Sequence, residues 1–129
     1  MNRVVVVDDE PDIRSLVHDI LTGVGYEVFT AATGEEGLGK IINLNPDLVV
    51  LDVVLPGLSG LEVCRLVKSK PSLSSIKILV LTALARDVDR KLIESAGADG
   101  FLRKPFSIGD LLSKTDEVLR LAGETIPRG

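Results

Sequence analysis

Acidic side chains, a threonine and a lysine follow short apolar segments of the chain, directly after each segment or within a few residues of it. In chain order they are Asp8, Asp9 and Glu10, then Asp52, then Thr82, and finally Lys104 with Pro105. Carboxylates brought close together repel one another, which raises the pKa of at least one of them unless a cation shares the site. Carboxylate oxygens are ligands that suit Mg²⁺, while a lysine and a hydroxyl supply the positive charge and the hydrogen bond that a transferring phosphoryl group needs. These residue types therefore predict a Mg²⁺-dependent phosphoryl-transfer site.

Five apolar segments of strand length precede these residues or separate them. They are Val4 to Val7, Tyr26 to Thr30, Leu48 to Leu51, Ile78 to Leu81 and the weaker pair Phe101 and Leu102. The first, third and fourth segments are continuously apolar instead of alternating, which is typical of strands covered on both faces. These segments predict the interior of a parallel sheet.

Segments with the helical period lie between the strands. Apolar residues recur at helical spacing from Ile13 to Leu21 and from Ile108 to Leu119. Gly23 and Gly97 stand where helices are expected to end. Capping-box spacing marks three helix starts, namely Thr33 with Glu36, Ser59 with Glu62, and Ser107 with Asp110. Helices are therefore expected to alternate with the strands.

This alternation predicts an α/β fold of the doubly wound (βα)5 type, a three-layer sandwich with right-handed crossovers. Ligands of such sheets bind beyond the carboxyl ends of the strands, so residues far apart in sequence converge at one edge. A lone acid at a strand end often makes a turn or caps a helix, and for Glu10 we prefer that interpretation. Coincident placement at four strand ends favours a functional interpretation for the remaining set, Asp8, Asp9, Asp52, Thr82 and Lys104.

The length and composition of the chain argue against several classes of function, including nucleic-acid binding and membrane insertion. A chain of 129 residues matches one compact domain. The net charge of -4 is spread without a basic run, which argues against direct nucleic-acid binding. The absence of a long apolar stretch predicts a cytoplasmic protein that makes no membrane contact. Cys64 is the only cysteine and lies among apolar residues, so a packed, inert thiol is expected.

Four stretches of the sequence, in order, resemble the response regulator receiver (CheY-like) domain of two-component signalling. They are residues 5–10 (VVVDDE), 51–57 (LDVVLPG, with Ser59 and Gly60 following), 81–83 (LTA) and 97–106 (GADGFLRKPF). The resemblance implies a flavodoxin-like fold with a five-stranded parallel sheet of order 2-1-3-4-5. It also implies a receiver domain over residues 1–122, with residues 123–129 as a tail or the start of a linker.

The resemblance assigns roles by position. Asp52 is expected to accept a phosphoryl group, and Thr82 and Lys104 to hold the phosphoryl oxygens. The expected Mg²⁺ ligands are Asp9, Asp52 and the Val54 backbone carbonyl, with Asp8 acting through a bound water. The Lys104-Pro105 peptide bond is expected to be cis, and cis bonds are tolerated before proline.

The resemblance also implies a switch and partners. The Thr82 hydroxyl and an aromatic ring at Phe101 would change position on phosphorylation. Many members of the family have tyrosine where this chain has Phe101, so an output that needs a phenol hydroxyl is not expected. The helix surface that includes Arg86, Asp87, Arg90, Lys91 and Glu94 would then change its packing. The partners implied are a sensor histidine kinase or phosphotransfer protein, and a downstream protein or fused effector domain. A homodimer formed on phosphorylation is compatible with the same pattern.

Two alternatives remain open at this point. One is a metal-dependent phosphatase or phosphotransferase with an Asp nucleophile, which usually carries a second acid two residues after the nucleophile. Val54 occupies that place here, which disfavours fast turnover, so we do not expect a dedicated enzyme. The other alternative is a pseudo-receiver that binds partners without phosphorylation, as expected where the acidic site is eroded. The acids are present, and the decision rests on them because the fold alone does not define function.

Overall fold

The computed structural model describes residues 2–83 and 87–120, with the backbone alone at residues 87 and 88. Five strands and five helices alternate along this part of the chain. They are β1 (Arg3–Val7), α1 (Pro11–Gly23), β2 (Glu27–Ala31), α2 (Gly34–Leu44), β3 (Leu48–Asp52), α3 (Gly60–Ser69), β4 (Lys77–Thr82), α4 (Asp87–Ser95), β5 (Gly100–Arg103) and α5 (Ile108–Arg120). The expected boundary at residue 122 and the tail at 123–129 lie outside the described residues.

All strand pairs are parallel, and the sheet order is β2-β1-β3-β4-β5. The predicted fold class and strand order are therefore confirmed. In this order β1 lies beside β3, so the residues that end these two strands become neighbours. Ligands of such sheets bind beyond the carboxyl ends of two adjacent central strands, which here are β1 and β3.

The continuously apolar strands are buried on both faces, as predicted. Val4 and Val6 pack with residues of α1 and α5, including Val17 and Leu111. The alternate residues of β1 and β3 pack on the opposite face against α2, α3 and α4. Because successive strand side chains point to opposite faces, both faces of β1 need apolar residues. The unbroken run from Val4 to Val7 follows from this demand.

Helix starts use the predicted caps. Ser59 and Glu62 form a reciprocal capping box, with each side chain 3.3 Å from the other residue's backbone nitrogen. Ser107 and Asp110 do the same at 3.2 and 3.0 Å. At α2 the Thr33 hydroxyl accepts from the Glu36 N–H, but the Glu36 carboxylate accepts from Ala32 N–H instead of Thr33 N–H. Gly23 and Gly97 lie at or just beyond helix ends, as expected.

Strand boundaries differ from the expected ones by a single residue at several places. The second strand begins and ends one residue later than predicted, at Glu27 and Ala31. Asp52 and Thr82 are the last residues of β3 and β4 instead of the first residues beyond them. The reason is that Asp52 still pairs with Leu81, and Thr82 pairs with Arg103. The sheet itself therefore holds the backbone of both residues. No helix in the described part of the chain is long and apolar enough to cross a membrane.

Candidate functional site

The Lys104 side chain joins three carboxylates at the carboxyl edge of the sheet. Its Nζ lies 3.1 Å from Asp8 Oδ2, 3.1 Å from Asp52 Oδ2 and 3.0 Å from Glu10 Oε1. The backbone of Lys104 is fixed by its N–H, which donates to the Thr82 carbonyl at 2.8 Å. The Lys104-Pro105 peptide bond that follows is cis. Residues 96 positions apart are thus brought into direct contact.

Asp8 is buried and held at several atoms. Its N–H donates to the Ala31 carbonyl at 3.1 Å, and its carbonyl accepts from the Arg14 guanidinium at 2.9 Å. The Asp8 carboxylate accepts from the Glu10 N–H at 2.9 Å. These bonds tie the end of β1 to β2 and to the start of α1. The Asp8 side chain is therefore fixed toward the site by the backbone around it.

The pKa values of Asp8 and Lys104 are both raised, from different causes. The pKa of Asp8 is raised above its ordinary value, first because burial disfavours the charged carboxylate and further because Asp52 is close. The Glu10 N–H and Lys104 oppose this shift. Burial by itself would lower the pKa of Lys104, but its hydrogen bonds to Glu10, Asp52 and Asp8 outweigh burial and raise it. Lys104 is therefore a permanent cation of the site.

Glu10 belongs to the acidic cluster, so the turn or capping role preferred from the sequence was wrong. Glu10 is the N-cap residue of α1 by position, yet its side chain makes no capping hydrogen bond. The carboxylate reaches Lys104 instead. The sequence held one signal for this: the residues that cap a helix N-terminus well are Ser, Thr, Asp and Asn, and glutamate is not among them.

Oxygen atoms from Asp8, Glu10 and Asp52 lie within 4.8 Å of one another, which makes these residues a candidate metal site. Asp9 is exposed and does not belong to this group. Its role as a metal ligand, like that of the Val54 carbonyl, stays a prediction. The donor set is made of hard carboxylate oxygens, and one ammonium faces three carboxylates, so negative charge remains for a divalent cation. These residues therefore fit Mg²⁺.

The two residues of the expected switch lie on neighbouring strands. Thr82 is buried at the end of β4, and Phe101 is half-buried in β5. The Arg90 guanidinium carbon stands 5.3 Å from the centroid of the Phe101 ring, a distance typical of a cation-π contact. Arg90, Lys91 and Glu94 are exposed on α4, as expected. Arg86 lies outside the described residues, and the side chain of Asp87 is not described.

The fold and this edge define a parallel α/β domain with an acidic cluster and a lysine at its ligand-binding edge. The family model of the response regulator receiver domain matches residues 4–116. The chain therefore belongs to the response regulator receiver family, as the sequence resemblance predicted. Phosphorylation-activated switching in two-component signalling is the general kind of function of this family.

Curated relatives include transcriptional regulators. The alkaline phosphatase synthesis transcriptional regulatory protein PhoP of Bacillus subtilis is 41% identical over 118 residues, which is 92% of this chain and 48% of that protein. The DNA-binding dual master transcriptional regulator RpaA of Synechocystis is 36% identical over 120 residues, or 93% of this chain and 50% of that protein. The chain thus spans about half the length of the curated relatives it matches.

Solved structures agree with this assignment. The chemotaxis protein CheY4 of Vibrio cholerae superposes with a TM-score of 0.87 at 35% identity, covering 92% of this chain and 98% of that one. The BeF3-activated N-terminal receiver domain of Klebsiella pneumoniae RstA gives a TM-score of 0.85 at 29% identity, with 92% and 99% covered. The receiver fold therefore extends over nearly the whole of this chain.

Proposed function

We propose that this chain accepts a phosphoryl group on Asp52 from a phosphohistidine and, in that form, changes a protein-binding surface. The observation that carries the proposal is the Lys104 ammonium held between Asp8 and Asp52 at 3.1 Å from each. A carboxylate nucleophile beside a fixed cation suits the transfer of a phosphoryl group, because the cation offsets the negative charge of both reactants.

The transfer proceeds by attack of an Asp52 carboxylate oxygen on phosphorus. A phosphorus–oxygen bond forms while the phosphorus–nitrogen bond breaks, and its electron pair returns to the imidazole of the donor. The product is an acyl phosphate on Asp52 and a free histidine on the partner. Lys104 and the Thr82 hydroxyl are the groups that hold the phosphoryl oxygens in this proposal. Asp52 is oriented for attack by the Val54 N–H, which donates to its Oδ1 at 3.3 Å.

Mg²⁺ is the cofactor that this proposal assigns to the acidic edge. When bound, it would neutralise charge on the carboxylates and on the phosphoryl oxygens. Asp9, Asp52 and the Val54 carbonyl are the proposed ligands, with Asp8 acting through water. Glu10 joins the same edge through Lys104 and adds to its negative potential.

The switch that we propose runs from Thr82 to Phe101. Attraction of the Thr82 hydroxyl toward the phosphoryl group would leave space beside β5 for the Phe101 ring. The contact between Arg90 and that ring supports a change on the α4 surface, because movement of the ring removes the partner of Arg90. The partners are a sensor histidine kinase or phosphotransfer protein and a downstream protein or effector domain. A phosphorylation-dependent homodimer is a further form of the same output.

An Asp-nucleophile hydrolase is the competing function, and the surroundings of Asp52 argue against it. Val54 stands where such enzymes place a general acid, and this residue is 68% exposed. An apolar group there cannot donate a proton to a leaving group or activate water. A persistent phosphoryl group, suited to signalling, is the expected consequence. This domain is accordingly proposed to catalyse only its own phosphorylation and a slow dephosphorylation.

The intact mass of the protein after incubation with acetyl phosphate tests the acceptor. One added phosphoryl group that requires both Mg²⁺ and Asp52 is the expected result. The Asp52→Asn variant should remain unmodified, and the Thr82→Ala variant should still be modified, because Thr82 is not the nucleophile. A folded wild type that gains no mass at any Mg²⁺ concentration, with acetyl phosphate still present at the end, would favour the pseudo-receiver instead.

A further inference from the structure

The loop between β3 and α3, residues 53–59, donates a backbone hydrogen bond to the Asp52 carboxylate. The Val54 N–H donates to Asp52 Oδ1 at 3.3 Å. The loop is closed at its far end by the Gly60 N–H, which donates to the Val53 carbonyl at 3.0 Å. A shift of the loop backbone would therefore turn the Val54 N–H away from Asp52, and the acceptor oxygen would lose its hydrogen-bond donor.

Glu35, in the first turn of α2, reaches this loop from outside. The Leu58 N–H donates to the Glu35 carboxylate, with both oxygens 3.3 Å from the nitrogen. Gly57 adopts φ +72°, and a Cβ atom there would stand 2.6 Å from both Glu35 carboxylate oxygens. The glycine before Leu58 thus leaves room for the carboxylate.

The backbone of α2 also touches the loop directly. A Cβ atom on Gly34 would stand 2.0 Å from the Leu58 carbonyl oxygen, so no larger residue fits there without displacing the loop. Gly34 and Glu35 therefore contact the carbonyl and the N–H of the same residue, Leu58. Such contact from both sides fixes one loop residue against the start of a helix.

We infer that Glu35 is a positioning residue of the acceptor site, which fixes the loop that orients Asp52. This inference rests on the proposed function, in which Asp52 binds Mg²⁺ and accepts the phosphoryl group. Glu35 does not belong to the group of acids around Lys104. It acts through Leu58 and Val54, in the way that outer residues orient the ligands of a metal site. Loss of the Glu35 carboxylate leaves the Leu58 N–H to water and the loop with more conformations.

The test compares Mg²⁺ affinity, measured by isothermal titration calorimetry, in the full chain and three variants. Glu35→Ala removes the acceptor, and Glu35→Gln removes the charge while keeping an acceptor oxygen. Glu36→Ala is the matched control, because Glu36 is an acid of the same helical turn whose carboxylate has other partners. Its carboxylate accepts from the Ala32 N–H and approaches Lys40. We expect Glu35→Ala to raise the Mg²⁺ dissociation constant about tenfold. Glu35→Gln and Glu36→Ala should stay within about twofold of the wild type.

A second readout reports on the loop without metal. Hydrogen exchange at the Leu58 amide, followed by NMR, should be faster in Glu35→Ala and close to the wild-type rate in Glu35→Gln. At saturating Mg²⁺ the rate of phosphorylation of Glu35→Ala by acetyl phosphate should approach the wild-type rate, since only the site's organisation is weakened. A merely structural role would instead lower the melting temperature and leave the Mg²⁺ dissociation constant unchanged.

Failure of the inference and failure of the proposed function give different results. Unchanged Mg²⁺ affinity and unchanged Leu58 exchange in Glu35→Ala would overturn the role of Glu35, whether or not Asp52 is phosphorylated. Equal defects in Glu35→Gln and Glu35→Ala would show that charge, and not the hydrogen bond, is responsible, which also overturns it. A wild type that binds no Mg²⁺ would remove the site that Glu35 is inferred to organise. A wild type that binds Mg²⁺ but gains no phosphoryl group contradicts the proposed function alone.

Discussion

The Lys104 ammonium forms an ion pair with Glu10 at 3.0 Å, although Glu10 is half-exposed and only 12% of the lysine side chain is accessible. Asp8 and Asp52 hold the same ammonium from inside the fold. Lys104 therefore neutralises part of the negative charge to which a divalent cation would bind. A metal ion bound there would share carboxylates with the lysine, and each cation would weaken the attraction of the cluster for the other.

Removal of the lysine charge should strengthen Mg²⁺ binding. We expect Lys104→Met to lower the Mg²⁺ dissociation constant by about fivefold to tenfold, because one competing cation is lost. The same variant should have a lower melting temperature in EDTA, since the buried carboxylates lose their partner. Calorimetric titration and thermal unfolding measure the two effects. Lys114→Met is the control and should change neither, because it removes a half-buried lysine of α5 that pairs with Glu117 and not with the acids around Lys104. Weaker Mg²⁺ binding by Lys104→Met would contradict the competition.

The raised pKa of Asp8 predicts how stability depends on pH without metal. Between the ordinary pKa of 3.8 and the raised value, the folded protein binds more protons than the unfolded chain. Stability contributed by protonated Asp8 is therefore present at low pH and lost as the pH rises through this window. Asp8→Asn should remove this loss and raise the melting temperature at pH 7 in EDTA by about 3 °C.

The control for this prediction is Asp12→Asn, which changes an exposed acid in the first turn of α1. That variant should show no gain, since an acid near a helix N-terminus is mildly favourable. The melting temperature is followed by circular dichroism from pH 4 to pH 8. A difference between Asp8→Asn and the wild type that stays constant over this range would contradict the assignment of the pH dependence to Asp8.

Val54, the exposed valine two residues after the proposed acceptor Asp52, should set the lifetime of the phosphoryl group. Val54→Asp places a carboxyl where water could be activated, so we expect the aspartyl phosphate to hydrolyse about tenfold faster. Val54→Ala is the control, because it opens space without adding an acid or base. Loss of the phosphorylated mass after removal of acetyl phosphate gives the rate. Equal acceleration by both variants would mean that the valine acts by excluding water and not by lacking an acid.

The Asp99 carboxylate has a structural role at the amino end of the strands, opposite the edge that contains Lys104. Asp99 accepts from the Ile78 N–H and from Lys68 Nζ, both at 2.8 Å, just before β5 begins. Asp99→Ala would leave the N–H of the buried Ile78 without this acceptor, so we expect a loss of about 2 kcal/mol in the free energy of unfolding. Urea denaturation compares Asp99→Ala with Asp99→Asn, which keeps an acceptor oxygen but loses the charge. The comparison separates the contribution of this hydrogen bond to the free energy of unfolding from that of the Asp99 charge. Equal stability of Asp99→Ala and the wild type would exclude the role.

The central strands could be predicted because burial on both faces demands apolar residues without interruption, as in Val4 to Val7. The strand order was predicted from the resemblance to the receiver family. The gathering of Asp8, Asp52 and Lys104 followed from the shared edge of parallel strands. Which of three consecutive acids turns inward could not be predicted, because Asp8, Asp9 and Glu10 have the same charge and differ only in backbone direction. The contact of Glu35 was missed for a similar reason: an acid in the first turn of a helix already has an adequate explanation there. A second explanation for Glu35, its contact with the loop after Asp52, requires knowing the path of that loop, which the sequence does not give.

The ion pair between Asp8 and Lys104 joins residues 96 positions apart in the sequence. During synthesis, Asp8 and Asp52 leave the ribosome long before Lys104, and the intervening chain must fold before the three can meet. A nascent or truncated chain that ends before β5 would thus present two acids with no cation between them. Asp52, the proposed acceptor, would become competent only when both ends of the domain are in place. Phosphorylation of this chain would then report that its own folding is complete, in addition to any signal received from a partner.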